Sequence, residues 1–189
     1  MPRSLESQTL TRLAFGSCHS RNAFDRDRDA GAINGSPPMS SNIWDVIRRE
    51  VNPQAFLWAG DAVYPPRNVK GDTPLHVLTD EYHQMLFNST IGYSSFRSEV
   101  VVAGTWDDHD YGGNDRGKEL TSREKRRDAF LDFHGVPQND DRRNRLGVYS
   151  SIDFGEEGRK VKVIFLDTRF NRDKHCIPSV GANPSIPLG

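Results

Sequence analysis

An α/β fold is the class this chain predicts, and three observations carry it. Short apolar runs of strand length recur along the chain. Patterns of helical period, with start and stop signals, lie between them. The first three runs each end in a loop carrying Asp, Cys, His or Tyr, where open α/β sheets usually place their chemistry.

The elements follow in chain order. Residues 10–15 read as a first strand, ending in Gly16-Ser17-Cys18-His19. The alternating charges of Asp25-Arg26-Asp27-Arg28-Asp29 resemble a metal or nucleotide-sugar motif but read better as an exposed loop. Ser40 or Ser41 caps a helix with Ile43, Trp44, Ile47 and Val51 on one face, and Pro53 stops it. Ala55-Phe56-Leu57-Trp58-Ala59 is the second strand, followed by Gly60-Asp61-Ala62-Val63-Tyr64. Thr73 and Pro74 start a helix with Leu75, Leu78, Tyr82 and Leu86 inward. Val100-Val101-Val102-Ala103 has the composition of a strand buried on both faces. Thr121 and Glu124 have capping-box spacing ahead of a helix carrying Ala129, Phe130 and Phe133. Gly155-Glu156-Glu157-Gly158 joins residues 148–154 and 161–166 as a hairpin. His76, His83 and His134 adjoin no strand end and read as surface or packing histidines.

No composition shift divides the chain, so 1–189 reads as one domain, with 174–189 an irregular tail rich in Pro, Ser and Gly. A net charge of −1 excludes a global nucleic-acid footprint, and the runs 123–127 and 142–145 read as solvated basic faces. Two cysteines make no disulfide framework, although Cys18 and Cys176 can pair in an oxidising compartment. The start of the chain lacks the apolar core of a signal peptide, and no run has transmembrane length. The expectation is a protein without a membrane segment, cytoplasmic by default.

Trp106-Asp107-Asp108-His109-Asp110-Tyr111-Gly112-Gly113-Asn114-Asp115 is the most informative stretch. So many carboxylates at one strand end repel each other unless a cation or several hydrogen bonds offset the cost. Hard oxygen ligands beside an imidazole suit a divalent or trivalent metal. The alternative is an acidic, solvated turn. Asp61, at a second strand end, is a candidate bridging carboxylate, and Tyr64 can reach the same point. Its phenol ionises near neutrality only beside a strong positive charge such as ferric iron. With three strand ends each delivering potential ligands, two metals held by a shared carboxylate become the leading expectation.

Gly16-Ser17-Cys18, Gly60-Asp61-Ala62-Val63-Tyr64, the 106–115 block and Leu166-Asp167-Thr168-Arg169, in this order, resemble the motifs of alkaline phosphatase D-type metallophosphoesterases. The resemblance covers residues 13–173 and implies a two-sheet αββα sandwich. It also implies a phosphoric ester hydrolase, a phosphomonoesterase or phosphodiesterase, using a two-metal site and a metal-bound hydroxide. Asp61 would bridge the metals, with Tyr64 and Cys18 on a ferric iron. Asp108 stands where related phosphoesterases place an Asn ligand, and His109 is the substrate-facing, catalytic histidine. Asn114 would bind the second metal, often calcium in this family, although a Gly-Gly-Asn turn also favours Asn for backbone reasons; other divalent metals fit the same donors. Asp107 or Asp110 would orient the imidazole. Arg169 would clamp a phosphate oxygen, or else form a buried pair with Asp167 or another carboxylate.

One departure weighs against these matches. The family completes its site with histidines of a later Gly-Asp-x-His type motif, whereas His175 is the only histidine here after His134. The chain is therefore expected to represent the N-terminal part of such a domain, an incomplete sandwich. Its unpaired strands would favour self-association and low stability. The alternative is a catalytically inactive form acting through metal binding or protein association. A pure calcium-binding module is disfavoured, because no EF-hand spacing occurs and Cys18 and Tyr64 are poor calcium ligands.

Overall fold

The computed structural model describes residues 9–20 and 43–174. The charged loop at 25–29, the Ser40 or Ser41 cap, Cys176 and nearly all of the tail lie outside the described residues.

Three parallel strands form the central sheet, in the order β1 (Leu13–Gly16), β2 (Ala55–Ala59), β3 (Val101–Thr105). Leu13 aligns with Ala55, and Ala55 with Val101. The continuous apolar composition of the central strand follows from burial on both faces.

Between β1 and β2 lies α1 (Ile43–Val46), which widens into a π-helical turn over Ile47–Val51 and ends at Asn52 in the left-handed region. α2 (Leu75–Phe87) buries Leu78, Glu81, Tyr82 and Met85 as one stripe of helical spacing. No side chain caps it: Pro74 holds the cap position, and the Thr73 carbonyl instead accepts from Arg126 at 2.8 Å. α3 (Tyr93–Glu99) was not legible in the sequence, because it is barely two turns long and buries only Tyr93 and Phe96. A single turn, α4 (Asp108–Tyr111), follows β3.

α5 (Arg123–Phe133) departs from expectation twice. Ser122 occupies the cap position with φ 58 and makes no side-chain bond, so the Thr121–Glu124 box does not form. The basic run is also not wholly solvated, since Arg126 and Arg127 are buried. Arg126 donates to the carbonyls of Thr121, Tyr111 and Thr73, and Arg127 to that of Arg145. Backbone oxygens thus replace the water these guanidiniums would otherwise need. His134, just beyond the helix, is a packing residue against Phe130 and Phe133.

The two faces of the sheet carry different partners. Phe56 and Trp58 point into the helical layer, where Trp44 lies 4.8 Å from the Tyr93 ring and 5.4 Å from Trp58. Ala55 and Leu57 point the other way, onto Phe154 and Phe165. Those two residues belong to the expected hairpin, β4 (Ser150–Phe154) and β5 (Val161–Phe165), with Phe154 opposite Val161. The hairpin packs on β2 and β3, leaving Leu13 and Phe15 of β1 exposed at 38% and 77%. Its outer face carries an Asp153–Lys162 ion pair and an exposed Ile164, and no helix among the described residues covers it. The molecule is therefore a small α/β domain with helices on one side of its sheet and a hairpin on the other. None of its described helices is long and apolar enough to cross a membrane.

Candidate metal centre

Backbone geometry at the strand ends builds this region. Gly60, after β2, adopts φ 112, and a Cβ there would come within 2.5 Å of the Asp107 Cβ. Glycine is therefore required both for its conformation and for the approach of the β3 loop. Asp61 follows with φ 53 and Cys18, after β1, with φ 58, both in the left-handed region that L-residues rarely enter. Such conformations persist where surrounding contacts hold them, and they concentrate at functional sites. Here the holding contacts are backbone bonds from Cys18 to Gly60 and from His19 to Asp61, at 3.4 and 2.9 Å.

Asp61, Asp108 and His109 are brought together by this folding, each offering a ligand atom within 4.8 Å of the others. Asp61 Oδ1 accepts from the His109 N–H at 3.1 Å. Its Oδ2 accepts from the Tyr64 hydroxyl at 2.7 Å and faces the Cys18 Sγ at 3.9 Å. Asp108 Oδ2 accepts from the Asp115 N–H at 2.9 Å. The Tyr64 ring lies against the His109 imidazole, centroids 4.3 Å apart and tilted by 34°. A small open depression of about 10 Å³, room for about one water, adjoins Tyr64 and is lined by His19, Val63, Glu81, Met85 and Ile91.

Charge is finely balanced here. Burial raises the Asp61 pKa, the Tyr64 hydrogen bond opposes that shift, and the Asp108 carboxylate adds to it. Burial, followed by the hydrogen bonds to Asp61 and Cys18, raises the Tyr64 phenol well above its ordinary range. Only a cation close to the oxygen would reverse that preference and give a phenolate. Burial lowers His19, whose ring packs 5.6 Å from Trp44.

The other anticipated residues are distributed differently. Cys18 is an exposed, free thiol at the margin of the group. Asn114 is exposed and donates to the Asp115 carboxylate. Arg169 forms a close pair with a carboxylate, and the partner is Asp107: Nε and Nη2 both lie 2.6 Å from its Oδ1. Arg169 Nη2 is also 3.9 Å from Asp108 Oδ2, while its buried Nη1 has no hydrogen-bond partner. Asp167 is spent on three backbone N–H groups, those of Val148, Arg169 and Phe170. Asp110 accepts from the backbone of Ala62 and Asp107, so the recorded bonds of Asp107 and Asp110 go to Arg169 and the main chain rather than the imidazole.

His109, anticipated as the substrate-facing histidine, is placed within the ligand group itself. One contributor was missed in the sequence, the Asp115 N–H that supports Asp108. A backbone donor seven residues away leaves no residue-type signal. Chemically, two carboxylates and an imidazole at this separation can hold a metal ion. No family model, no curated protein and no solved structure matches the chain.

Proposed function

We propose that this chain carries the metal-binding part of a phosphoric ester hydrolase similar to the alkaline phosphatase D-type metallophosphoesterases. The observation that carries this reading is the convergence of Asp61, Asp108 and His109 within 4.8 Å, at the ends of two adjacent parallel strands. The donor set fits the ion: Asp61, Asp108 and His109 would hold it, and Tyr64 and Cys18 stand against Asp61 as further donors suited to ferric iron. Calcium as a second ion would take the amide oxygen of Asn114, whose NH₂ is held by Asp115. A bound cation supplies Lewis acidity toward phosphoryl oxygens.

The remaining steps belong to the chain's own groups. Arg169 is held in place by Asp107, and its unpartnered Nη1 is a donor suited to an anionic oxygen. Self-association fits the same reading, because Leu13 and Phe15 leave an apolar face on an edge strand.

A second reading, metal binding without turnover, is favoured by one observation. Among the His, Cys, Asp and Glu side chains of the described residues, a single three-residue ligand group assembles, enough for one ion rather than two. The test is metal content of the purified chain together with hydrolysis of a chromogenic phosphomonoester and phosphodiester. Metal-dependent turnover, lost along with the metal in Asp61→Asn, is the expected result. Bound metal without turnover selects the second reading, and no bound metal overturns both.

A further inference from the structure

Asp110 is completely buried, one residue beyond His109, and its carboxylate is shared between two loops. Oδ2 accepts from the Ala62 N–H at 3.0 Å and Oδ1 from the Asp107 N–H at 2.7 Å. Each donor is the peptide neighbour of a ligand residue: Ala62 follows Asp61, and Asp107 precedes Asp108. The Asp110 carbonyl accepts from the Tyr82 hydroxyl at 2.9 Å, which anchors the turn to α2.

Burying a carboxylate is costly, and an apolar residue would fill the same space without that cost. The hydrogen bonds give the reason for a carboxylate here. Two backbone N–H groups converge on one side chain from separate loops, so both of its terminal atoms must be acceptors. Asn has only one acceptor oxygen, and its NH₂ would meet an N–H head-on. Only a carboxylate satisfies both donors at this reach.

We propose that Asp110 is a positioning residue of the metal centre, fastening the Asp61 loop to the Asp108–His109 turn so that their ligand atoms share one point. The inference rests on the metal-binding reading above. It also extends it, since the residue holds ligands in register without contacting the ion.

The test compares Asp110→Asn with Tyr82→Phe, which removes a hydroxyl bond to the same residue but leaves its carboxylate intact. Mn²⁺ is the probe, titrated by electron paramagnetic resonance, with amide hydrogen exchange of the metal-free protein recorded alongside. Asp110→Asn should weaken Mn²⁺ binding about tenfold to a hundredfold and speed exchange at Ala62 or Asp107. Tyr82→Phe should leave affinity unchanged within about twofold, whatever its melting temperature, because both hydrogen bonds of the Asp110 carboxylate that join the two loops stay in place. Asp110→Glu keeps both acceptors on a longer stem, so it should fold yet displace the loops and weaken binding as well. Wild-type affinity in both Asp110 variants overturns the inference, and so does an equal loss in Tyr82→Phe. A wild-type chain that binds no Mn²⁺ overturns the metal-binding reading itself, and this inference with it.

Discussion

On the helical face of the sheet, Trp58 is enclosed by rings: Trp44, Phe56 and Tyr93 lie 5.2 to 6.1 Å away, and its indole N–H donates to the Tyr93 hydroxyl. On the opposite face, Leu57 meets a thin layer built from Phe154 and Phe165, with Ile152 and Val163 only partly covered. The same strand thus supports a deep core on one side and a shallow one on the other. The difference teaches where stability and chemistry are separately invested. The deep face holds the helices, and the ligand loops emerge at the rim where both faces meet. There the hairpin side contributes Arg169, which reaches Asp107 across the gap between the two sheets.

The largest effects should break the deep face. Trp58→Ala should cost close to 5 kcal/mol, about the upper end for a buried aromatic, because it also strips the Tyr93 hydroxyl of its donor. Phe154→Ala, on the shallow face, should cost about 3 kcal/mol, since Phe154 is fully buried but its layer is thin, with Ile152 and Val163 only partly covered. Urea denaturation of both variants checks the contrast, and equal losses would show that the faces do not differ in rigidity.

A smaller effect sharpens the same contrast through pH. Burial first, then Arg97 and Arg142, lowers the His134 pKa to about 3. The unfolded chain, with an ordinary histidine near 6.5, therefore binds a proton that the folded chain refuses between these values. Stability is fully present above about pH 6.5 and falls on acidification, by up to about 1.4 kcal/mol per pH unit for this group. His134→Phe should flatten that slope in urea melts at pH 7 and 4.5, and an unchanged slope would assign the acid sensitivity elsewhere.

The smallest effect concerns the uncovered part of the shallow face. Phe15→Ser should change stability by no more than about 0.5 kcal/mol, because its ring is already in solvent. Light scattering should nevertheless show less self-association, and an unaltered size distribution would remove this face from the account.

Much of the fold was legible because its signals are local. The apolar runs at β2 and β3, the glycine-bounded hairpin and the periodic stripe of α2 are patterns within a few consecutive residues. The short α3 and α4 lacked enough turns to display a period. Arg126 and Arg127 carried no mark of burial, since their partners are carbonyls from other segments.

The candidate site divides along the same line. Residue types and their order were enough to single out Asp61, Asp108 and His109 as chemistry, because crowded carboxylates beside an imidazole are conspicuous in any conformation. Asp107, Asp108 and Asp110 are chemically identical within four positions, and composition cannot assign them roles. Strand register decides that one meets Arg169 from 62 residues away, one joins the ligand group and one accepts a backbone N–H 48 residues distant. Amino-acid chemistry and periodicity determined which residues could do something. Only the tertiary structure decided which of them do it together, because hydrogen bonds and ligand geometry depend on approaches of a few ångströms that no one-dimensional pattern encodes.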